Sequence, residues 1–408
     1  MTSFKSKMFN FLLRNRYLFF CILLCTTITA CAKDKNMKPP TGILIESPKI
    51  TVSANTQFSL NYNAILSKSI DTSLVFKSNV VDSLQRSFDV VRRKGNYKGL
   101  SVAIGIPDVG FWSYAGGESG TKIPLSVSTK FHALSVGKIF TSALLLKLIE
   151  DGSLSMNMTI DRWFPDFPRA NEITIYHLLT HTSGIQTYEA LKEFSNNKFN
   201  AYLPTDLVKM ASVYPIANQP NTYQSYTNTG YVMLGIIIEK TTGITLEQAF
   251  HQYFIKPLNL ANTVYCGKGN TSMIDVKGYH NNTISNQNQW PLAFAAGPFI
   301  TTPTDLILLY NYVLSGKFIS QTSITIMLSE MNLWKLNPNV YYGKGIYLIK
   351  DLPSGNYLGH SGGYDCFRTC VFYNIEKNIF VSLMSNTDDF EIEPAMFYFT
   401  EKIIKLLR

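Results

Sequence analysis

The sequence is short of charge and short of cysteine, and both shortages exclude something. Only 16% of residues are Asp, Glu, Lys or Arg, and four of the 37 basic residues, Lys5, Lys7, Arg14 and Arg16, fall in an acid-free N-terminal stretch. Without that stretch the chain holds 33 basic residues against 28 acidic ones, with no Lys/Arg cluster. Phosphate binding needs basic residues gathered on one face, so nucleic acid is not expected as a partner. The six cysteines contain no C-x-x-C. Cys266, Cys366 and Cys370 are the three beyond the N-terminal region, an odd set that offers neither a disulfide framework nor a zinc site. One bridge among them stays compatible with an oxidising compartment. No internal repeat is present, and no apolar run reaches the roughly 20 residues of a membrane span.

What is present begins with a leader. Residues 1–30 join the four cations to the apolar run YLFFCILLCTTITA, the pattern of a secretory signal peptide. Its end, Ile28-Thr29-Ala30-Cys31, resembles the lipobox of bacterial lipoproteins, which implies lipidation of Cys31 and a protein anchored to the membrane of the cell envelope. Residues 31–79 are polar, with Pro39-Pro40 and many Ser, Thr and Asn, and read as a tether and extension. From residue 80 to 408 the pattern is that of one large globular domain, and 46% apolar residues suffice for a sizeable core.

Inside that domain the stretch Phe131–Asp151, FHALSVGKIFTSALLLKLIED, organises the rest. Its apolar residues occupy almost every side of a helix, which is the mark of a buried helix. Ser135 and Lys138 are three apart and share a face. A serine hydroxyl becomes a nucleophile only when a neighbouring base takes its proton. Lysine can be that base when burial or a nearby charge holds it partly neutral. S-x-x-K also occurs at Ser119/Lys122 and Ser195/Lys198, in Gly-rich and polar surroundings that bury no lysine. A plain helix cap is the simpler use of Ser135.

The element pattern is α+β: an antiparallel β-sheet flanked by helices, with an inserted helical subdomain at roughly 152–300. An amphipathic helix runs from Val80, with Val81, Leu84, Phe88 and Val91 along one face. Strands follow at Leu100–Ile106 and Gly110–Tyr114. Strands return at Gly345–Ile349, Tyr357–His360, Arg368–Tyr373 and Ile379–Ser385, and a helix closes the chain at Pro394–Leu407. Helices at Thr205–Ser212, Gly230–Thr241 and Leu246–Phe254 lie between. Distant segments therefore close the sheet, with a cleft between sheet and helices.

Two further motifs complete an ordered set. Gln224-Ser225-Tyr226-Thr227-Asn228 precedes a helix, and Gly359-His360-Ser361-Gly362-Gly363 ends a strand and enters a Gly-rich turn. With Ser135 and Lys138 they read S-x-x-K, Y-x-N, H-x-G. S-x-x-K belongs to the signature of penicillin-binding proteins and class A β-lactamases. The arrangement resembles the class C β-lactamase and D,D-peptidase superfamily of serine hydrolases from about residue 81 onward, supported by HLLTHTSGI, SYTNTGYVMLGIIIE and AAGPFITTPTDL. The resemblance implies Ser135 as nucleophile, with Lys138 and Tyr226 sharing the proton. Asn228, His360, Ser361 and Gly362 would bind substrate, and the N–H groups of Ser135 and Gly363 would form the oxyanion hole. No cofactor and no metal are implied. The substrate would be a small peptide, peptidoglycan or an ester. His360 stands where many relatives have lysine, which points toward D-alanyl-D-alanine carboxypeptidase-like or D-aminopeptidase chemistry and away from efficient antibiotic hydrolysis. An esterase, a weak β-lactamase and a non-catalytic peptide- or penicillin-binding protein of the same fold are the alternatives.

Rival motifs are weaker. Gly359–Gly363 fits G-x-S-x-G, but no histidine follows Ser361, which breaks the order of that triad. Tyr279-His280-Asn281 repeats Y-x-N without the helix that follows Tyr226. His177 and His181 have a zinc-compatible spacing, yet Leu178 replaces the glutamate of H-E-x-x-H and no third ligand is near. Arg368 could read a substrate carboxylate; a solvated strand arginine is the simpler account.

Overall fold

The computed structural model describes residues 68–408 except 198–199, 201, 267–273, 275, 286–293, 298, 330, 334–338 and 365. The leader, Cys31, the tether up to residue 67, and Lys198 lie outside the described residues. Among the described residues no helix is long and apolar enough to cross a membrane.

Helix α1 (Ser78–Lys94) buries Val80, Leu84, Ser87 and Phe88, a stripe at helical spacing, with Val81 and Val91 packed at its margin. Residues before it already lie on the framework: the Ile70 N–H donates to Asn311 Oδ1 at 3.1 Å, and Phe76 is buried. Strands β1 (Gly99–Ile106) and β2 (Gly110–Gly117) form a hairpin, and β1 is buried along its whole length. Helix α2 (Gly137–Glu150) is buried on nearly every side. Helices α3 (Ile175–Leu179), α4 (Asn228–Thr242) and α5 (Pro303–Leu314) follow, each with a threonine N-cap. The last strands are β3 (Asn332–Leu333), β4 (Val340–Tyr342), β5 (Tyr347–Leu352), β6 (Gly355–Tyr364), β7 (Phe367–Asn374) and β8 (Ile379–Ser385), before helix α6 (Glu393–Leu406).

The main sheet has the order β2-β1-β8-β7-β6-β5-β4-β3 and is antiparallel throughout. The N-terminal hairpin joins it through β1 against β8, with Leu100 opposite Ser385. This is the closure by distant segments that strands at both chain ends imply. Strands β1, β7 and β8 are buried on both faces because helices cover both. One core holds Leu84, Phe88, Phe372 and the apolar side of α6. The other runs unbroken from Phe111 and Phe380 through α2 to Leu178, Leu207 and Ile237. The helical insertion thus shares its core with the sheet.

Two local expectations need correction, and the organising helix begins at Gly137, with Ser135 in the turn just before it. Phe131–His132 is a short strand paired with Phe299–Thr301, and Leu134–Val136 is a 3₁₀ turn. Leu134 has φ +55°, which an α-helix cannot contain. Strand β5 starts at Tyr347 rather than Gly345, whose φ of +80° belongs to a turn. His360-Ser361-Gly362-Gly363 is strand rather than the entry to a turn, since Cys370, Thr369 and Arg368 of β7 pair with Ser361, Gly362 and Gly363.

Candidate active site

Within Phe131–Phe140 every residue is buried except Ser135, which is half-buried. A left-handed Leu134 just before it costs roughly 1–2 kcal/mol, and packing holds it there. Two glycines clamp the turn. A Cβ on Gly297 would lie 2.6 Å from the Leu134 carbonyl oxygen, and one on Gly362 would lie 2.5 Å from Leu134 Cβ and 2.8 Å from the Ser135 nitrogen. These are the glycines of the AAGPF and HSGG segments, and only glycine fits at such distances. A third, Gly345, comes equally close to the Lys138 carbonyl and Ser142.

Lys138 is fully buried. Its Nζ donates to Ser135 Oγ at 3.2 Å and to the Ala296 carbonyl at 2.9 Å, and it lies 4.8 Å from the Tyr226 ring centroid and 5.4 Å from that of Tyr231. The S-x-x-K and Y-x-N motifs therefore lie together, but Lys138 Nζ stands over the ring of Tyr226, whereas the sequence reading set the tyrosine oxygen toward it. The Nζ–Oγ line is the path a serine proton would take to a neutral amine.

Asn228, the first residue of α4, donates its amide nitrogen to Glu189 Oε1 at 2.5 Å, and its Oδ1 is buried without a hydrogen-bond partner. The carboxylate fixes which way round the amide stands, because the reverse orientation would set oxygen against oxygen. The third motif arrives on β6. Strand β5 pairs with β6 only as far as Tyr347 opposite Gly359, so no β5 residue is registered opposite His360–Tyr364, and there the Ser135 turn packs against Gly362. That places Ser361, Gly362 and Gly363 beside the nucleophile turn.

His360 is 1% exposed, and both its ring nitrogens face protein atoms: Nδ1 the Ser361 carbonyl at 2.5 Å, Nε2 the Tyr342 hydroxyl at 3.3 Å. Burial, then the charge of Lys138, pushes its pKa down to about 3. With both nitrogens so engaged it is a neutral imidazole.

The other candidates sort as follows. His177 Nδ1 accepts the Thr174 N–H as part of a capping box on α3, while His181 is wholly buried against Tyr226, with ring centroids 4.3 Å apart. His177 and His181 therefore serve different partners. Arg368 is not the solvated arginine expected: it is buried, its fork donating to the Phe367 and Asp388 carbonyls, with Nε 3.9 Å from Glu391. Cys266 and Cys370 are buried free thiols. A His280, Asp388 and Asp389 grouping has ligand atoms within 4.8 Å of one another, but His280 Nδ1 is already hydrogen-bonded to Asp388. Sequence reasoning missed Glu189, Tyr342 and the Ala296 carbonyl. Only the last had a signal, the AAGPF segment.

A serine and a buried lysine at the head of a core helix, beside the free half of a sheet strand, define a serine hydrolase of the β-lactamase and penicillin-binding-protein type. A scan against family models agrees, and the chain belongs to the Beta-lactamase family, matched over residues 84–402. Penicillin-binding protein 4* of Bacillus subtilis is 26% identical over 348 residues, covering 80% of this chain and 77% of the relative. Protein flp of Staphylococcus aureus is 26% identical over 72% of this chain and 60% of its own length. Among solved structures, D-amino acid amidase from Ochrobactrum anthropi SV3 superposes with a TM-score of 0.71 at 23% identity, covering 81% of this chain and 99% of its own. The octameric penicillin-binding protein homologue from Pyrococcus abyssi gives 0.66 at 22%, over 80% and 77%.

Proposed function

We propose that this protein is a cell-envelope serine hydrolase that cleaves amide or ester bonds of small peptides, peptidoglycan fragments or esters through an acyl-enzyme on Ser135. The observation that carries the reading is the 3.2 Å contact between Lys138 Nζ and Ser135 Oγ, at the one half-exposed position of a buried run. Ser135 Oγ attacks the carbonyl while its proton passes to the Lys138 and Tyr226 pair. The N–H groups of Ser135 and Gly363 stabilise the oxyanion. Collapse breaks the C–N or C–O bond, and the leaving amine or alcohol takes the proton back. Water, deprotonated by the same pair, then attacks the ester carbonyl, and Ser135 regains its hydrogen as the acid leaves.

D-alanyl-D-alanine carboxypeptidase-like action is the finer reading, supported by relatives named as penicillin-binding proteins. A second reading, a D-aminopeptidase or amidase, is favoured by the Asn228–Glu189 pair. A buried acceptor beside a carboxylate suits a substrate that offers N–H or ammonium rather than an acyl carbonyl, and one solved neighbour bears the name D-amino acid amidase. The anchor on Cys31 belongs to the same proposal, and Cys31→Ser is expected to move the protein out of the membrane fraction.

Fluorescent penicillin or fluorophosphonate labelling, with mass mapping of the adduct, tests the reading. A label on Ser135 that Ser135→Ala abolishes supports it; an unlabelled protein with no turnover of D-peptides, amides or esters defeats it. A label on Ser361 would do the same. Comparing a peptide ending in D-Ala-D-Ala with D-alanine amide then separates the two finer readings.

A further inference from the structure

One side chain outside the three motifs touches the second of them and reaches the third through a single tyrosine. His181, in the THTSG turn, is fully buried at φ +59°, a conformation that costs a branched or bulky residue energy and persists only where surroundings enforce it. Its Nδ1 lies 3.2 Å from the Thr227 nitrogen, its carbonyl accepts the Ser225 N–H at 2.8 Å, and its ring lies against Tyr226. It thus grips residues on both sides of the tyrosine. Its Nε2 lies 3.2 Å from the Tyr342 hydroxyl, which lies 3.3 Å from His360 Nε2.

The hydrogens in this chain have one consistent direction. A backbone N–H can only donate, so His181 Nδ1 is the acceptor and Nε2 carries the hydrogen. A carbonyl can only accept, so His360 Nδ1 carries its hydrogen and Nε2 is bare. Tyr342 then accepts from His181 and donates to His360, with Tyr231 a further partner of its hydroxyl, and both imidazoles are neutral in that arrangement. A ring that stacks, accepts at one atom and donates at another describes neutral histidine and no other side chain.

We propose that His181 is the positioning residue of this site, clamping the Tyr226–Asn228 segment to the His360 strand through Tyr342 and so fixing Tyr226 and β6 around Ser135. The proposal rests on the reading of Ser135 as nucleophile. It assigns His360 to the frame of the site rather than to a charged contact with substrate. The groups facing His181 are Lys138 from α2, Tyr231 from α4, Tyr342 from β4, His360 from β6 and Tyr226 itself.

Two measurements test it on the full chain. Long-range ¹⁵N–¹H NMR of the six histidines, assigned by single substitutions, reads the tautomers directly. His181 as Nε2–H and His360 as Nδ1–H, unchanged across the neutral range and disturbed by Tyr342→Phe, are expected. His360 as Nε2–H, or either ring titrating near neutral pH, overturns the clamp. The second measurement is the rate constant for fluorophosphonate labelling of Ser135 per folded molecule. His181→Leu and Tyr342→Phe should lower it roughly 10- to 100-fold, the size expected of a misplaced catalytic group. His181→Asn, which keeps an acceptor near the Nδ1 position, should recover part of the loss. Rates within twofold of the parent in both damaged variants mean that His181 only fills the core, and the proposal fails. A parent protein that takes no label refutes the hydrolase reading instead, and the tautomers still decide the clamp.

Discussion

Gly362→Ala tests the construction of the site more sharply than removal of the serine would. The added methyl would sit 2.5 Å from Leu134 Cβ and 2.8 Å from the Ser135 nitrogen, against an ordinary carbon–carbon contact of about 3.5–4.0 Å. Relief needs a separation of about 1 Å between β6 and the nucleophile turn. The turn cannot retreat, because Gly297 packs against the other side of Leu134. The strand end carrying Ser361 and Gly363 must move instead. Misplacement by about 1 Å costs on the order of a hundredfold in rate, and overpacking costs about 1–3 kcal/mol of stability. The neighbouring variant Gly363→Ala is the control, since the nearest atoms its methyl would meet are those of the Arg368 side chain, at 3.2 Å, and the N–H stays in place. The assay is the fluorophosphonate labelling rate of Ser135, with urea unfolding to count folded molecules. A folded Gly362→Ala that labels within about threefold of the parent would refute the argument that the β6 edge is set against Ser135.

Three further outcomes follow from the same geometry. Lys138→Met keeps the buried volume but removes the proton acceptor, so Ser135 labelling should fall by roughly 10²–10⁴; an unimpaired rate would take Lys138 out of the mechanism. Glu189→Gln should raise KM for D-amino acid amides with a free ammonium roughly tenfold, the worth of one charge-assisted contact, and leave N-acylated substrates unaffected; equal effects on both would remove the second reading's support. Acidification should destabilise the fold. Burial pushes His132 down to about 4 and His360 to about 3, and holds His181 well below its ordinary value. Folded pKa values below the unfolded value of about 6.5 give stability that is full above that pH and lost as pH falls through it. Between about pH 7.5 and about pH 5.5 His132 and His360 lose about 3 kcal/mol together, and His181 acts in the same direction. Glu391, raised to about 7 by burial and the neighbouring Glu393, takes up a proton in the folded state over that interval and restores about 2 kcal/mol. Urea midpoints at the two pH values should differ by the remainder, and a midpoint that rises on acidification contradicts it.

Much of the fold was legible because its signals were local. The 80/84/88 stripe of α1 follows from burial of one face, and the largely apolar α2 and the apolar runs of β1 and β8 from burial on nearly every side. The nucleophile pair was legible for the same reason, since spacing along one turn puts Ser135 and Lys138 together without tertiary knowledge. The left-handed Leu134 was not, because leucine has no propensity for that conformation and only Gly297 and Gly362 hold it there. Glu189 and Tyr342 were invisible for a related reason. Each lies far along the chain from its partner, Asn228 at 39 residues and His181 at 161, and no periodicity connects such positions. Arg368 misled because arginine on a strand is usually solvated, whereas here two carbonyls and Glu391 surround it.

The neutrality of His360 has a consequence for the substrate. A lysine at that position would set a second amine near the buried Lys138, and whenever both carried a proton the two like charges in a poorly solvated pocket would repel by several kcal/mol. A neutral ring, hydrogen-bonded on both sides, avoids that cost and lets Lys138 keep its place between Ser135 and the Ala296 carbonyl. The same neutrality removes a counter-charge for a substrate carboxylate, and Arg368 cannot replace it with its fork turned to Phe367 and Asp388. Under the proposed reading, recognition then falls to Asn228 and Glu189, which offer a lone pair and a carboxylate. Within the proposed function, that balance of charge favours the second reading, substrates that present an amine beside the scissile carbonyl, over those that present a terminal carboxylate beyond it.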